Sequence, residues 1–164
     1  MSKTCILVAD RARARFFAPE QLREGAPLSR SVHLKELRAA LVDPEGELTG
    51  KEMFSNTRSG SNRAPHGAGY EYDDHRAGHR EEVERRFARQ VASELAKLQR
   101  ERDFSKLVLA VEPHMLGLLR QALKDKLPAS IETHELHADL SWHDPAHIQA
   151  SLERHGVLSS ADHD

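Results

Sequence analysis

The chain has 164 residues, a single cysteine and a formal net charge of -2, with 38% hydrophobic and 30% charged residues. That length fits one domain with a real but thin core, and a charge so near balance supplies no overall field toward nucleic acid or membrane. Cys5 alone excludes an internal disulfide, and no apolar run resembles a secretory signal or a membrane span, so a cytoplasmic protein without membrane contact is expected.

The first predicted elements are β-prone. "TCILVAD" is an aliphatic run closing at Asp10, and "ARARFFA" follows almost at once, so the two read as a hairpin across Asp10-Arg11-Ala12 even though the turn lacks glycine. Cys5 within the run reads as a small buried side chain. Ala12, Ala14 and Phe16 alternate with Arg13, Arg15 and Phe17, which suggests a strand with one wet face. "PEQLREGAP" supplies turn residues, and "LSRSVHLKEL" alternates well enough for a third strand. The opening is an antiparallel three-stranded meander.

From Arg38 to Met53 the pattern is weak, and Asp43-Pro44-Glu45-Gly46 reads as a turn. A long Gly/Arg-rich loop follows at 55–74, without helical or strand period, of the kind that is often functional. Val83, Phe87, Val91, Leu95 and Leu98 then recur at helical spacing, with Ala88 and Ala92 widening the stripe. Glutamates 81, 82 and 84 near its start and Lys97, Arg100 and Arg102 near its end suit the helix macrodipole.

"KLVLAV" is a short unalternating run, as expected for a strand covered on both faces. Pro113 opens a helix with Leu116, Leu119, Leu123 and Leu127 facing inward, and Pro128 marks its end. "SIETHEL" is a further strand. Asp144-Pro145 offers an N-cap and a first-turn proline for a last helix that buries Ile148 and Leu152 and stops at Gly156. The order β-β-β, loop, α-β-α-β-α predicts a single α/β domain over 1–156 with a mixed sheet: the N-terminal meander joined to parallel β-α-β-α units by right-handed crossovers. Residues 157–164 read as a frayed tail.

Four stretches in register, "LVADRARARFF", "FARQVASELAK", "KLVLAVEPHMLGLLRQAL" and "HELHADLS", resemble the bacterial family called "protein required for attachment to host cells". The resemblance runs from about Thr4 to Leu152, and Leu116-Gly117-x-Leu119-Arg120 is its most specific piece. That family is similar to the middle domain of the archaeal and eukaryotic peptide-release factor, which implies a release-factor middle-domain-like, RNase H-like fold and a partner that is RNA or the ribosome. Release factors carry Gly-Gly-Gln in the loop before the first helix. Here Gly60, Gly67 and Gly69 occupy that region and no glutamine lies between Gln21 and Gln90, so the resemblance implies association with RNA, not peptide release.

Within the loop, Arg58 and Arg63 could fork onto phosphate oxygens, Arg76 and Arg80 would extend that surface, and Tyr70 and Tyr72 could stack on unpaired bases. Glu71, Asp73 and Asp74 oppose a purely basic patch, and the bland alternative is a solvated loop with incidental charge. A rival reading is an enzyme: either a nuclease whose Asp10, Glu112 and Asp139, gathered at one edge of the sheet, hold magnesium, or a diverged peptidyl-tRNA hydrolase; strand-end acids are also ordinary caps. A third reading is a protein-interaction module affecting surface attachment, which would need an exposed apolar patch. Zinc is not expected: His134 and His137 point to opposite strand faces, and His143 precedes the helix that carries His147. Ser141, His143 and Asp144 are too close in sequence to form a catalytic triad. Gly117 reads as a close-packing position on the sheet and Trp142 as a packing anchor. The favoured expectation is a non-enzymatic binding protein with no cofactor; the sequence does not set its oligomeric state.

Overall fold

The computed structural model describes residues 3–21, 32–48 and 69–158. Strands β1 (Thr4–Ala9), β2 (Arg13–Gln21) and β3 (Val32–Glu36) form the expected antiparallel meander, with β2 in the middle. A two-residue strand, β4 (Leu41–Val42), pairs with the start of β2. A short helix, α1 (residues 44–48), and the long helix α2 (Gly69–Arg102) follow. Then β5 (Lys106–Val111), α3 (Pro113–Leu123), β6 (Glu132–His137) and α4 (Pro145–Arg154) complete the chain. The sheet order is β3-β2-β1-β5-β6, and β1, β5 and β6 run parallel. This is a mixed α/β fold.

Asp10 explains why the first hairpin turns without glycine. Its Oδ1 accepts from the backbone N–H of Ala12 (2.8 Å) and of Arg13 (2.7 Å), while its own N–H donates to the Arg13 carbonyl at 2.9 Å. The aspartate side chain thus stands in for a backbone turn.

Period-two alternation sends the strands' side chains into two cores. Cys5, Leu7, Ala9, Leu107, Leu109 and Val111 meet α2 and α3 on one face; Ile6, Val8, Phe17, Val108 and Ala110 meet Ile148 and Leu152 of α4 on the other. The sheet is therefore covered on both sides, as the unalternating "KLVLAV" run requires. Burial pushes the Cys5 thiol up to about 12, so it is an inert apolar group in the native state.

The caps form as the sequence indicates. Glu112 accepts from Met115 N–H ahead of Pro113, Asp144 accepts from His147 N–H ahead of Pro145, and Gly156 takes φ +67° just past α4. In the family-specific Leu-Gly-x-Leu-Arg stretch, Leu116 and Leu119 are buried and Arg120 forks onto Glu135 of β6. Gly117 does not pack closely, because a Cβ there would meet nothing within 4 Å.

Three further expectations change along the chain. Asp43-Pro44-Glu45-Gly46 opens α1 instead of forming a simple turn: the Asp43 side chain accepts from Glu45 N–H at 3.1 Å and its carbonyl from Glu47 N–H at 3.0 Å. The second face of β2 is not wet, since Arg15 is 9% and Phe17 0% exposed beneath β3 and α4. The segment predicted as loop over 55–74 is helical from Gly69 onward; residues 55–68 lie outside the described part. Glu71, Asp73 and Asp74 fall in the first turns of α2, where the helix dipole favours acids and lets the helix start early.

Candidate functional site at the carboxyl edge of the sheet

Register brings the ends of the three parallel strands level: Ala9 lies beside Val111, and Val111 beside His137. Asp10, Glu112 and the segment from Ala138 to Asp144 therefore leave the sheet at one edge, the side where α/β folds place ligands. Asp10 and Asp139 are brought together around Ser141, a fully buried residue. Ser141 Oγ is 2.8 Å from Asp10 Oδ2 and 2.7 Å from Asp139 Oδ1.

Glu112 is drawn elsewhere. It caps α3 and lies 3.6 Å from Arg11 Nη2. Burial works to raise its pKa, but the N–H groups of Met115 and His114 and the Arg11 guanidinium outweigh it and hold the carboxyl below its ordinary range. Arg11 also reaches Glu84 of α2 at 3.4 Å, and Glu84, 3% exposed, lies 2.9 Å from His114 Nε2. One buried glutamate thus ties α2 to the β1–β2 turn and to the start of α3. The three acids expected to share a magnesium ion do not form a cage. Among the described residues no group of three or more His, Cys, Asp or Glu side chains could hold a metal ion. Ser141 faces Asp10 and Asp139, not the neighbouring His143 of the rejected triad. The rings of His143 and His147 do stack, 4.1 Å apart, although one precedes α4 and the other lies within it.

The long helix leaves the body at this same edge. Its C-terminal end is at the opposite edge, where Ser105 N–H donates to the Lys3 carbonyl at 2.9 Å, and it passes the carboxyl edge at Glu84. Val83 is buried, and none of residues 75–82 before it is. The turns from Gly69 to Glu82 make up about 20 Å of helix, at 1.5 Å per residue, ahead of the apolar stripe that begins at Val83. Tyr70, Tyr72, Arg76 and Arg80 lie on this extension, while Arg58 and Arg63 lie outside the described residues.

At its root, Arg85 pairs with Glu81 (3.0 Å), Arg89 with Glu82 (3.1 Å) and Arg86 with Glu45 of α1 (2.5 Å). Glu45 also meets His79 at 2.9 Å, and the Arg86 hydrogen bond holds its carboxyl below the usual range. Gly46 lets α1 settle on the hairpin, since a Cβ there would come within 3.2 Å of Ala12 Cβ.

Trp142 is not a packing anchor: it is 67% exposed. The loop below it is pinned. Arg15 Nη1 donates to the carbonyls of Ser141 (3.3 Å) and His143 (2.5 Å), and its Nε donates to Glu36 at 3.0 Å. The Arg13 guanidinium centre lies 4.9 Å from the Trp142 ring centroid.

A family model described as "Protein required for attachment to host cells" matches residues 5–152. The chain belongs to that family. The match spans β1 through most of α4, so every residue of the carboxyl edge falls inside the part shared with host-attachment proteins. A comparison with curated proteins found none that matches. Among the edge residues of this host-attachment protein, sequence reasoning found Asp10, Glu112 and Asp139 but missed Glu84, Arg15 and the role of Ser141. Glu84 carried one signal: it sits beside Val83 on the apolar side of an otherwise regular stripe, where an acid is out of place.

Proposed function

We propose that this host-attachment family protein binds RNA as a non-enzymatic factor, through the polar turns of α2 and the arginine-bearing segment before them. The observation that carries the reading is the length of α2: 34 residues form one helix, and none of residues 75–82, ahead of its apolar stripe, is buried. Those turns add no buried apolar side chain over 75–82, and a helical stretch that is polar on all sides serves something outside the core. Arg76 and Arg80 on those turns, with Arg58 and Arg63 upstream, supply guanidinium forks for phosphates, and Tyr70 and Tyr72 supply rings for unpaired bases. The resemblance to the release-factor middle domain supports the same reading, since there the segment before this helix acts at the ribosome.

The nuclease reading has weaker support. Asp10 is occupied by its own turn and by Ser141, and Glu112 by Arg11 and the start of α3.

Ultraviolet cross-linking in cells, followed by ribonuclease trimming and peptide mapping, tests the proposal. RNA should be recovered covalently attached to the peptide that contains Tyr70 and Tyr72. Recovery of the protein in good yield with no attached RNA would remove RNA from the account.

A further inference from the structure

Trp142 is the most exposed large hydrophobic side chain among the described residues, yet the loop that carries it is held from beneath at every step. Leu140 and Ser141 just before it are buried, Ser141 Oγ is set between Asp10 and Asp139, and His143 N–H donates to the Leu140 carbonyl at 3.1 Å. Arg15 grips the carbonyls on either side of the tryptophan. Arg13 lies against the ring; its buried Nε has no hydrogen-bond partner among the described residues, so the indole is what that guanidinium is set against. A large apolar ring left in water but fixed in position is pre-organised for a contact that folding does not supply.

The surroundings narrow the contact. Its chain neighbours Asp139, His143 and Asp144 are polar and Arg13 lies over the ring, a setting that suits a flat ring with polar edges better than an apolar groove or acyl chain. The loop also stands on the edge from which the polar turns of α2 emerge. We propose that Trp142 is a stacking platform for an unpaired nucleobase of the strand whose phosphates the α2 segment contacts; the inference rests on the RNA-binding reading above. Arg13 holds one part of the indole and the base takes the open face, an arrangement that tolerates any base because each has a π-face.

Trp142 is the only tryptophan, so its fluorescence reports on this position alone. The full chain is titrated with single-stranded oligoadenylate, with an abasic strand of equal length and charge, and with duplex RNA. Oligoadenylate should quench the emission saturably, and the abasic strand and duplex should not. Trp142→Ala should weaken oligoadenylate binding roughly 5- to 150-fold and Trp142→Phe less, with the salt dependence of binding unchanged in both. Equal quenching by the abasic strand, or wild-type affinity in Trp142→Ala, would overturn the platform and leave phosphate binding by α2 standing. Failure of wild-type protein to bind any of the strands would overturn both readings.

Discussion

Ser141 Oγ donates to Asp10 Oδ2 at 2.8 Å across 131 residues of sequence, and the same oxygen lies 2.7 Å from Asp139 Oδ1. The buried Ser141 hydroxyl has a single proton to offer to the two carboxylates. Ser141→Ala should therefore cost about 1–3 kcal/mol, the range for leaving a buried acceptor without its donor. Adding Asp139→Asn should recover part of that loss, because an amide can donate toward Asp10. Urea denaturation midpoints of the two variants check this. Equal stability of Ser141→Ala and wild type would show that the hydroxyl does not hold the edge together.

Among the described residues Arg15 is the one arginine folded almost wholly into the protein, and its partners come from β3 and from the loop before α4. Arg15→Met keeps most of the volume but leaves two carbonyls and Glu36 without their donor. We expect a loss of about 3 kcal/mol, toward the low end for breaking a buried ion pair because Glu36 is one-third exposed. The more specific consequence is local. The Trp142 loop should loosen, seen as a fall in tryptophan fluorescence anisotropy while the protein is still folded. Unchanged anisotropy would place the stiffness of that loop elsewhere.

Glu112 makes stability depend on pH in a defined direction. Its folded pKa lies below the ordinary glutamate value of 4.5, so the folded state favours the charged form. The contribution is present at pH above that ordinary value and is lost as pH falls through the lower, folded one. Glu112→Gln should be less stable than wild type at pH 7, with the gap closing as pH falls through the lowered folded value and the wild-type carboxyl takes up its proton. Thermal melts from pH 3 to pH 7 measure it, and a gap that widens on acidification would reverse the sign.

The sequence exposed most of the fold because the deciding signals are local. The Val83–Leu98 stripe, the "KLVLAV" run, and the Glu112-Pro113 and Asp144-Pro145 caps each depend on neighbours within a few residues. What stayed hidden depends on distant partners. Arg15 in an alternating strand looks solvent-facing until the carbonyls of residues 141 and 143, over 120 positions away, are folded onto it. The short α1 and β4 have no period to read, and they form because Asp43 donates its N–H to the Ala12 carbonyl and accepts from Glu45. The early start of α2 was obscured by Gly69, Tyr70 and Tyr72, none a strong helix former, although the acids among them suit a helix N-terminus. The candidate acids were placed on the correct edge, but their neighbours, which decide whether an acid is free for chemistry or occupied in structure, were not visible.

The most direct test of the account measures binding of single-stranded RNA against salt concentration, for wild type and for the Arg58→Ala, Arg63→Ala, Arg76→Ala, Arg80→Ala quadruple variant. Each phosphate contact contributes about 0.7 to the slope of log affinity against log salt on a single strand. The variant should bind more weakly at low salt, with a slope shallower by about 3. An unaltered slope and affinity in the variant would contradict the claim that these arginines grip the RNA backbone.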